Sequence, residues 1–240
     1  MSNNALTRER RNLAVFADKK ALLLDMNSTF MFWEDRFGDG EDFSMHYSKM
    51  GGTLSPAEIN RIVRTAYGYL EARYPDEHYR HNFPSVESVI HETAEEKLGR
   101  DEIGKIVATF AFHELGYIPN DYAEALHKLR RRFTLAAVID IWSPKTAWLN
   151  TFERAGVASV FSAISFSSDH GMVKPSPKAF ELVLQQLGIA NTEAIVTGDS
   201  PRRDLGGAIN TGIGCILVGG AEHPNALKSF GNLLELCNSI

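Results

Sequence analysis

Residues 135–166, LAAVIDIWSPKTAWLNTFERAGVASVFSAISF, decide the fold. Apolar runs at 135–139 and 163–166 are too short for helices and read as buried strands. Between them Ser143-Pro144 reads as an N-cap with proline at the first helical position, opening a helix over 145–154 that Gly156 ends. The same grammar recurs outward. Further strands are predicted at 21–24, 194–196 and 215–218, and Ser176-Pro177 opens a helix over 178–187 that Gly188 ends. Strands alternating with helices predict an α/β fold whose parallel sheet is covered on both faces, with ligands at the carboxyl ends of its strands.

Between the first two strands the pattern changes. Ser55-Pro56-Ala57-Glu58 is a capping box, and Ile59, Ile62, Val63, Ala66, Tyr67 and Leu70 mark one helical face. Further helices are predicted over 85–98 and 101–115. Residues 31–117 hold 16 acidic and 9 basic side chains, against 14 and 16 in the remainder, so an inserted helical unit with its own acidic surface is implied.

At 240 residues, 44% apolar and 23% charged, the chain has the composition of an ordinary soluble protein with ample core. A net charge of −5 argues against a dedicated nucleic-acid or anionic-membrane surface. Cys215 and Cys237 show no metal or disulfide spacing, which points to a reducing cytoplasm. The opening residues carry only the short apolar stretch 13–16, too little for a signal-peptide core, and no run reaches membrane-span length.

Chemistry concentrates at three places. The first strand ends Leu24-Asp25-Met26-Asn27-Ser28-Thr29, putting a carboxylate at the ligand-facing end of the sheet; alone, Asp25 reads equally well as a turn residue. Thr197-Gly198-Asp199-Ser200-Pro201-Arg202-Arg203-Asp204 sets two carboxylates across a loop entering a helix, where Asp199 suits a hard cation and Asp204 a coordinated water. An isolated stretch of this type is more often an N-cap followed by a solvated acid. In Gly171-Met172-Val173-Lys174-Pro175-Ser176-Pro177 the lysine is either a solvated charge or a counter-charge for a phosphate beside an attacking carboxylate.

Taken in order, LLLDMNST, GMVKPSPKAF and TGDSPRRD resemble the haloacid dehalogenase (HAD) superfamily over roughly residues 21–220. The resemblance implies a Rossmann-like core formed by residues 1–30 and 118–240, with a helical cap at 31–117. It implies an Mg²⁺-dependent phosphohydrolase or phosphotransferase acting on a small phosphorylated metabolite. Asp25 is then the nucleophile that forms an aspartyl-phosphate, Lys174 steadies it and the phosphate, and the metal is held by Asp25, the backbone carbonyl of Asn27 and Asp199, supported by Asp204. A carboxylate, a divalent cation and a lysine together supply what phosphoryl transfer needs.

Two departures from the family pattern stand out. The acid/base Asp expected two residues after the nucleophile is Asn27, whose amide exchanges no proton near neutral pH. The phosphate-binding hydroxyl expected after the second strand falls on Ile139 or, one residue on, Asp140; the loop N–H groups and Ser143 are then expected to contact phosphate instead. His46, His78 and His81 of the cap are candidates for a substitute acid, although surface or hydrogen-bonded roles are commoner. Trp33 and Phe37 are expected to pack at the cap hinge, and Arg130, Arg131 and Arg132 to form a solvated helix end. Two rival readings remain: a catalytically weakened member that binds a phosphorylated ligand or a partner, and a metal-independent dehalogenase, for which the Asp199–Asp204 pair has no evident use.

Overall fold

The computed structural model describes residues 15–94 and 97–240; most of the N-terminal stretch read above lies outside the described residues. In chain order the elements are β1 (Ala21–Leu24), α1 (Ser44–Lys49), α2 (Pro56–Arg73), α3 (Val86–Thr93), α4 (Arg100–Glu114), α5 (Asn120–Arg130), β2 (Thr134–Ile139), α6 (Thr146–Arg154), β3 (Phe161–Phe166), the single turn α7 (Ser167–His170), α8 (Pro177–Leu187), β4 (Ala194–Gly198), α9 (Gly206–Thr211), β5 (Gly214–Leu217), β6 (Lys228–Ser229) and α10 (Leu233–Asn238). The strands form one parallel sheet in the order β3-β2-β1-β4-β5-β6.

β1 is central, with Leu22 between Leu135 and Ile195 and Leu24 between Ala137 and Thr197. Because side chains alternate along a strand, Leu22, Leu24, Leu135, Ile139 and Ile195 enter the core on one face, and Leu23, Ala136, Val138 and Val196 the core on the other. A sheet buried on both faces needs the near-continuous apolar runs the sequence shows. Among the described residues no helix is long and apolar enough to cross a membrane.

The described residues between β1 and α5 supply no strand to this sheet. Ile59, Ile62, Val63, Ala66 and Leu70 of α2 pack instead with Val86, Val89 and Ile90 of α3 and Ile103, Ile106 and Phe110 of α4 in a separate cluster. The capping box forms as expected, Ser55 Oγ accepting the Glu58 N–H and Glu58 accepting the Ser55 N–H. The two chain crossings are tied together: Phe32 and Tyr117 exchange backbone hydrogen bonds of 3.0 and 2.9 Å. A Cβ on Gly116 would lie 2.5 Å from the Phe32 carbonyl oxygen, so only glycine permits this approach. Trp33 and Asp35 hold φ of +62° and +55°, and the Arg36 guanidinium binds the carbonyls of Trp33, Leu115 and Phe112 beside them.

Several elements differ from expectation. α3 ends at Thr93, short of 98, and α4 occupies Arg100–Glu114, one residue earlier than predicted. α6 starts at Thr146 and Ser143 does not cap it, because the Ser143 N–H is held by Glu114 and its hydroxyl has no hydrogen-bond partner. The six-residue α1 and the two-residue edge strand β6 are too short to show a period in sequence.

Candidate active site

Three loops at the carboxyl ends of β1 and β4 and before α8 meet at one point. The Asp25 N–H bonds the Thr197 carbonyl at 2.8 Å, extending the β1–β4 ladder just past the end of β1 and fixing the carboxylate at the sheet's edge. Gly198 is required beneath it, since a Cβ there would come within 2.3 Å of the Asp204 carboxylate. Ser200 accepts the Arg203 N–H through its hydroxyl at 3.2 Å and donates its own N–H to Asp204 at 3.0 Å, folding Pro201–Leu205 into a π-helical turn that turns Asp204 inward. The loop bearing Lys174 is pinned to the inserted unit, with Val173 N–H bonding the Arg80 carbonyl and Phe83 N–H the Gly171 carbonyl.

Lys174 is buried and donates to Asp25, and to Asp204 at 2.8 Å. Carboxylate oxygens of Asp25, Asp199 and Asp204 lie within 4.8 Å of one another. Burial pushes the Asp25 carboxyl up to about 7 against the pull of Lys174, and Asp204 and Asp199 add to the rise. Asp199 is raised by burial and then by Asp204. Burial alone would lower Lys174, but Asp204, Asp25 and Asp140 outweigh it and keep the ammonium protonated. Three carboxylates thus face one ammonium, and Asp199 Oδ1 is buried without a hydrogen-bond partner. An all-oxygen set with charge left over is the donor chemistry of a hard divalent cation.

Above this cluster lies a cavity of about 120 Å³ lined by Asp25, Asn27, Lys174 and Asp140, together with Ser28, Glu34, Asp35, Tyr74, Glu114, Trp142 and Arg203. Asn27 reaches it with an Oδ1 that has no partner. The second-strand expectation needs correction. The Ile139 side chain belongs to the core and Asp140 is the residue that lines the cavity, since alternation along β2 turns neighbouring side chains to opposite sides. Asp140 Oδ2 accepts the Tyr74 hydroxyl at 2.6 Å and the Lys174 N–H at 2.9 Å. Ser143 does not line the cavity, and the N–H groups of Trp142 and Ser143 are already bound by the Glu114 carboxylate at 2.5 and 3.0 Å. Burial lifts Glu114 to about 8. Donors expected to serve phosphate are occupied by a side chain of the inserted unit.

The candidate histidines lie elsewhere: His46 stacks on Phe112, His78 pairs with Asp76, and His81 meets the Ser176 hydroxyl. Of the two residues expected to pack at the hinge, Phe37 joins the core cluster of the inserted unit, and Trp33, in a left-handed backbone conformation, is 73% exposed. Arg130 and Arg131 are exposed, as expected of a helix end. Sequence reasoning missed Tyr74, Glu114 and Arg203. Arg203 stood inside the third motif and was legible as a cation beside Asp204, but Tyr74 and Glu114 sit at helix ends with no local signal.

Residues 19–212 match the haloacid dehalogenase-like hydrolase family. A phosphoserine phosphatase from Thermus thermophilus is 33% identical over 138 residues, 56% of this chain and 55% of that protein. A ribulose-1,5-bisphosphate 5-phosphatase from Halopiger xanaduensis is 28% identical over 116 residues, 48% of each chain. The chain therefore aligns with about half the length of these curated relatives. Among solved structures, a 2-haloacid dehalogenase from Pseudomonas syringae pv. Tomato superposes with a TM-score of 0.64 at 17% identity, covering 92% of this chain and 97% of that one. A HAD phosphatase from Thermococcus onnurineus gives 0.59 at 22%, covering 91% and 96%. These two likenesses speak for the fold.

Proposed function

Because the chain belongs to the haloacid dehalogenase-like hydrolase family, we propose that it is a cytoplasmic, Mg²⁺-dependent phosphohydrolase or phosphotransferase acting on a small phosphorylated metabolite. The observation that carries this reading is the buried set Asp25–Lys174–Asp204 with Asp199 beside it at the carboxyl ends of the sheet. Both curated relatives are phosphatases by name, one of an amino-acid phosphate and one of a sugar bisphosphate, which supports the substrate class. The two cysteines are unpaired, which fits a reducing compartment.

In this reading residues 1–30 and 118–240 are the core and 31–117 the cap. An Asp25 carboxylate oxygen attacks phosphorus while the bond to the leaving oxygen breaks and its electron pair departs with that oxygen. Water or another acceptor then attacks the phosphorus of the aspartyl-phosphate and regenerates the Asp25 carboxylate. Lys174 holds Asp25 in place and balances its charge. Asp25, Asp199 and the Asn27 carbonyl, supported by Asp204, would hold Mg²⁺, which would supply neutralisation of phosphate charge. Asn27 can orient a leaving group by hydrogen bonding but cannot protonate it.

A second reading is favoured by that same Asn27 and by the carboxylates of Asp140 and Glu114 on the cavity wall: a weakened family member that binds a phosphorylated ligand or partner. The test is a panel of phosphorylated metabolites and haloacids, with and without Mg²⁺, on wild type and Asp25→Asn. Turnover lost on chelation and in Asp25→Asn supports the first reading. Ligand binding without turnover supports the second, and Mg²⁺-independent halide release would overturn both.

A further inference from the structure

Resting on Asp25 as the phosphate-facing nucleophile, we propose that Arg203 is the residue that grips the substrate's phosphate in place of the missing second-motif hydroxyl, with Tyr74 as the positioning residue that aims it. The loop after β2 has little left to offer an anion. Asp140 is a carboxylate, the Ile141 N–H bonds Ser167 Oγ at 2.9 Å, and the N–H groups of Trp142 and Ser143 bond Glu114. Lys174 is committed to Asp25 and Asp204.

Arg203 is the other cation lining the cavity. Its approach to Asp199, 3.8 Å from Nη2 to Oδ1, is longer than a hydrogen bond, and its side chain has no hydrogen-bond partner among the described residues. The guanidinium therefore keeps its donors for a ligand, and its planar fork matches two phosphate oxygens at once. Its backbone is fixed by the Ser200 hydroxyl, and the next residue, Asp204, is fully buried against Lys174. That places the fork beside the nucleophile rather than on a mobile surface.

Tyr74 completes the arrangement from the inserted unit. Its ring centroid lies 5.7 Å from the Arg203 guanidinium carbon, and its hydroxyl is held by Asp140. The residue that removes phosphate affinity from the second motif thus anchors the ring that orients the replacement. Arg202 lies 5.8 Å from the same ring but does not line the cavity, which makes it an internal control.

The experiment measures tungstate binding, as a phosphate mimic, by calorimetry and aryl-phosphate kinetics with Mg²⁺ on the full chain. Arg203→Met should raise the tungstate Kd and KM about 10–100-fold, the size of a charge-assisted hydrogen-bond pair. Arg203→Lys should recover part of that loss and Arg202→Met should change neither. Tyr74→Leu should raise KM more than it lowers kcat, while Tyr74→Phe, which keeps the ring, should restore most of the affinity. Unchanged tungstate binding and KM in a folded Arg203→Met, or in Arg203→Lys if the first does not fold, overturns the proposal while wild-type turnover leaves Asp25 chemistry standing. No wild-type turnover, with tungstate binding still lost in Arg203→Met, overturns the phosphohydrolase reading and supports the grip. Absence of both turnover and tungstate binding in wild type overturns both.

Discussion

Glu114, the last residue of α4, accepts the backbone N–H of Ser143 at 3.0 Å and so joins the inserted helical unit to the loop that follows β2. The same carboxylate takes the Trp142 N–H, and the side chain is 3% exposed. A buried acid is acceptable there because both of its oxygens are hydrogen-bonded.

Removing that acceptor should be costly. Glu114→Ala leaves two N–H groups without a partner, and an unsatisfied buried donor costs about 1–3 kcal/mol. At ~2–4 °C per kcal/mol for a chain of this size, the thermal midpoint should fall by several degrees. A midpoint equal to wild type would mean that water replaces the carboxylate freely.

Glu114 should also make stability depend on pH. Burial lifts its pKa from 4.5 to about 8, so between those values the folded chain keeps a proton that the unfolded chain has released. Its contribution is fully present below the unfolded pKa and is lost as pH rises through about 8. Urea denaturation of wild type and Glu114→Gln near pH 5 and pH 8.5 should show wild type losing more stability than the variant over that interval. Parallel losses would show that Glu114 titrates alike in both states.

The carboxylate cluster predicts metal-linked stabilisation. Mg²⁺ should raise the wild-type thermal midpoint, since a ligand that binds only the folded chain stabilises it by mass action. Asp199→Asn should weaken Mg²⁺ binding in calorimetry about tenfold or more, because one of few charged oxygen donors is gone. Equal Mg²⁺ affinity in the two proteins would remove Asp199 from the metal site.

Lys174 balances the buried charge of both Asp25 and Asp204. Lys174→Met strands Asp25 and Asp204 without their counter-charge, and breaking such a buried pair costs about 3–5 kcal/mol. Adding Asp204→Asn should return part of that stability, because one uncompensated charge is removed with its partner. Strict additivity in the double variant would show that the two side chains are not coupled.

Asn27 predicts a leaving-group preference. General acid help is worth roughly 10²–10⁴-fold, so alkyl phosphates should be turned over far more slowly than aryl or acyl phosphates. Asn27→Asp should raise alkyl-phosphate hydrolysis selectively. Efficient alkyl hydrolysis by wild type, unimproved by the substitution, would place the proton donor elsewhere in the cavity.

Much of this molecule follows from local sequence alone. Strand-length apolar runs, the Ser-Pro helix start at 176, the capping box at Ser55 and the ordered motifs around Asp25, Lys174 and Asp199 are short-range signals, because backbone propensity and period act over a few residues. They were sufficient for a parallel α/β sheet and an inserted helical unit. Tertiary structure alone decided how the site's donors are shared. Glu114, Tyr74 and Arg203 come from the ends of two helices and a π-helical turn far apart in the chain, and nothing near each of them foretells the others. Their meeting depends on how the separate core of the inserted unit seats its helix ends against the sheet, and hydrogen-bond donors spent by one long-range partner are no longer available to another.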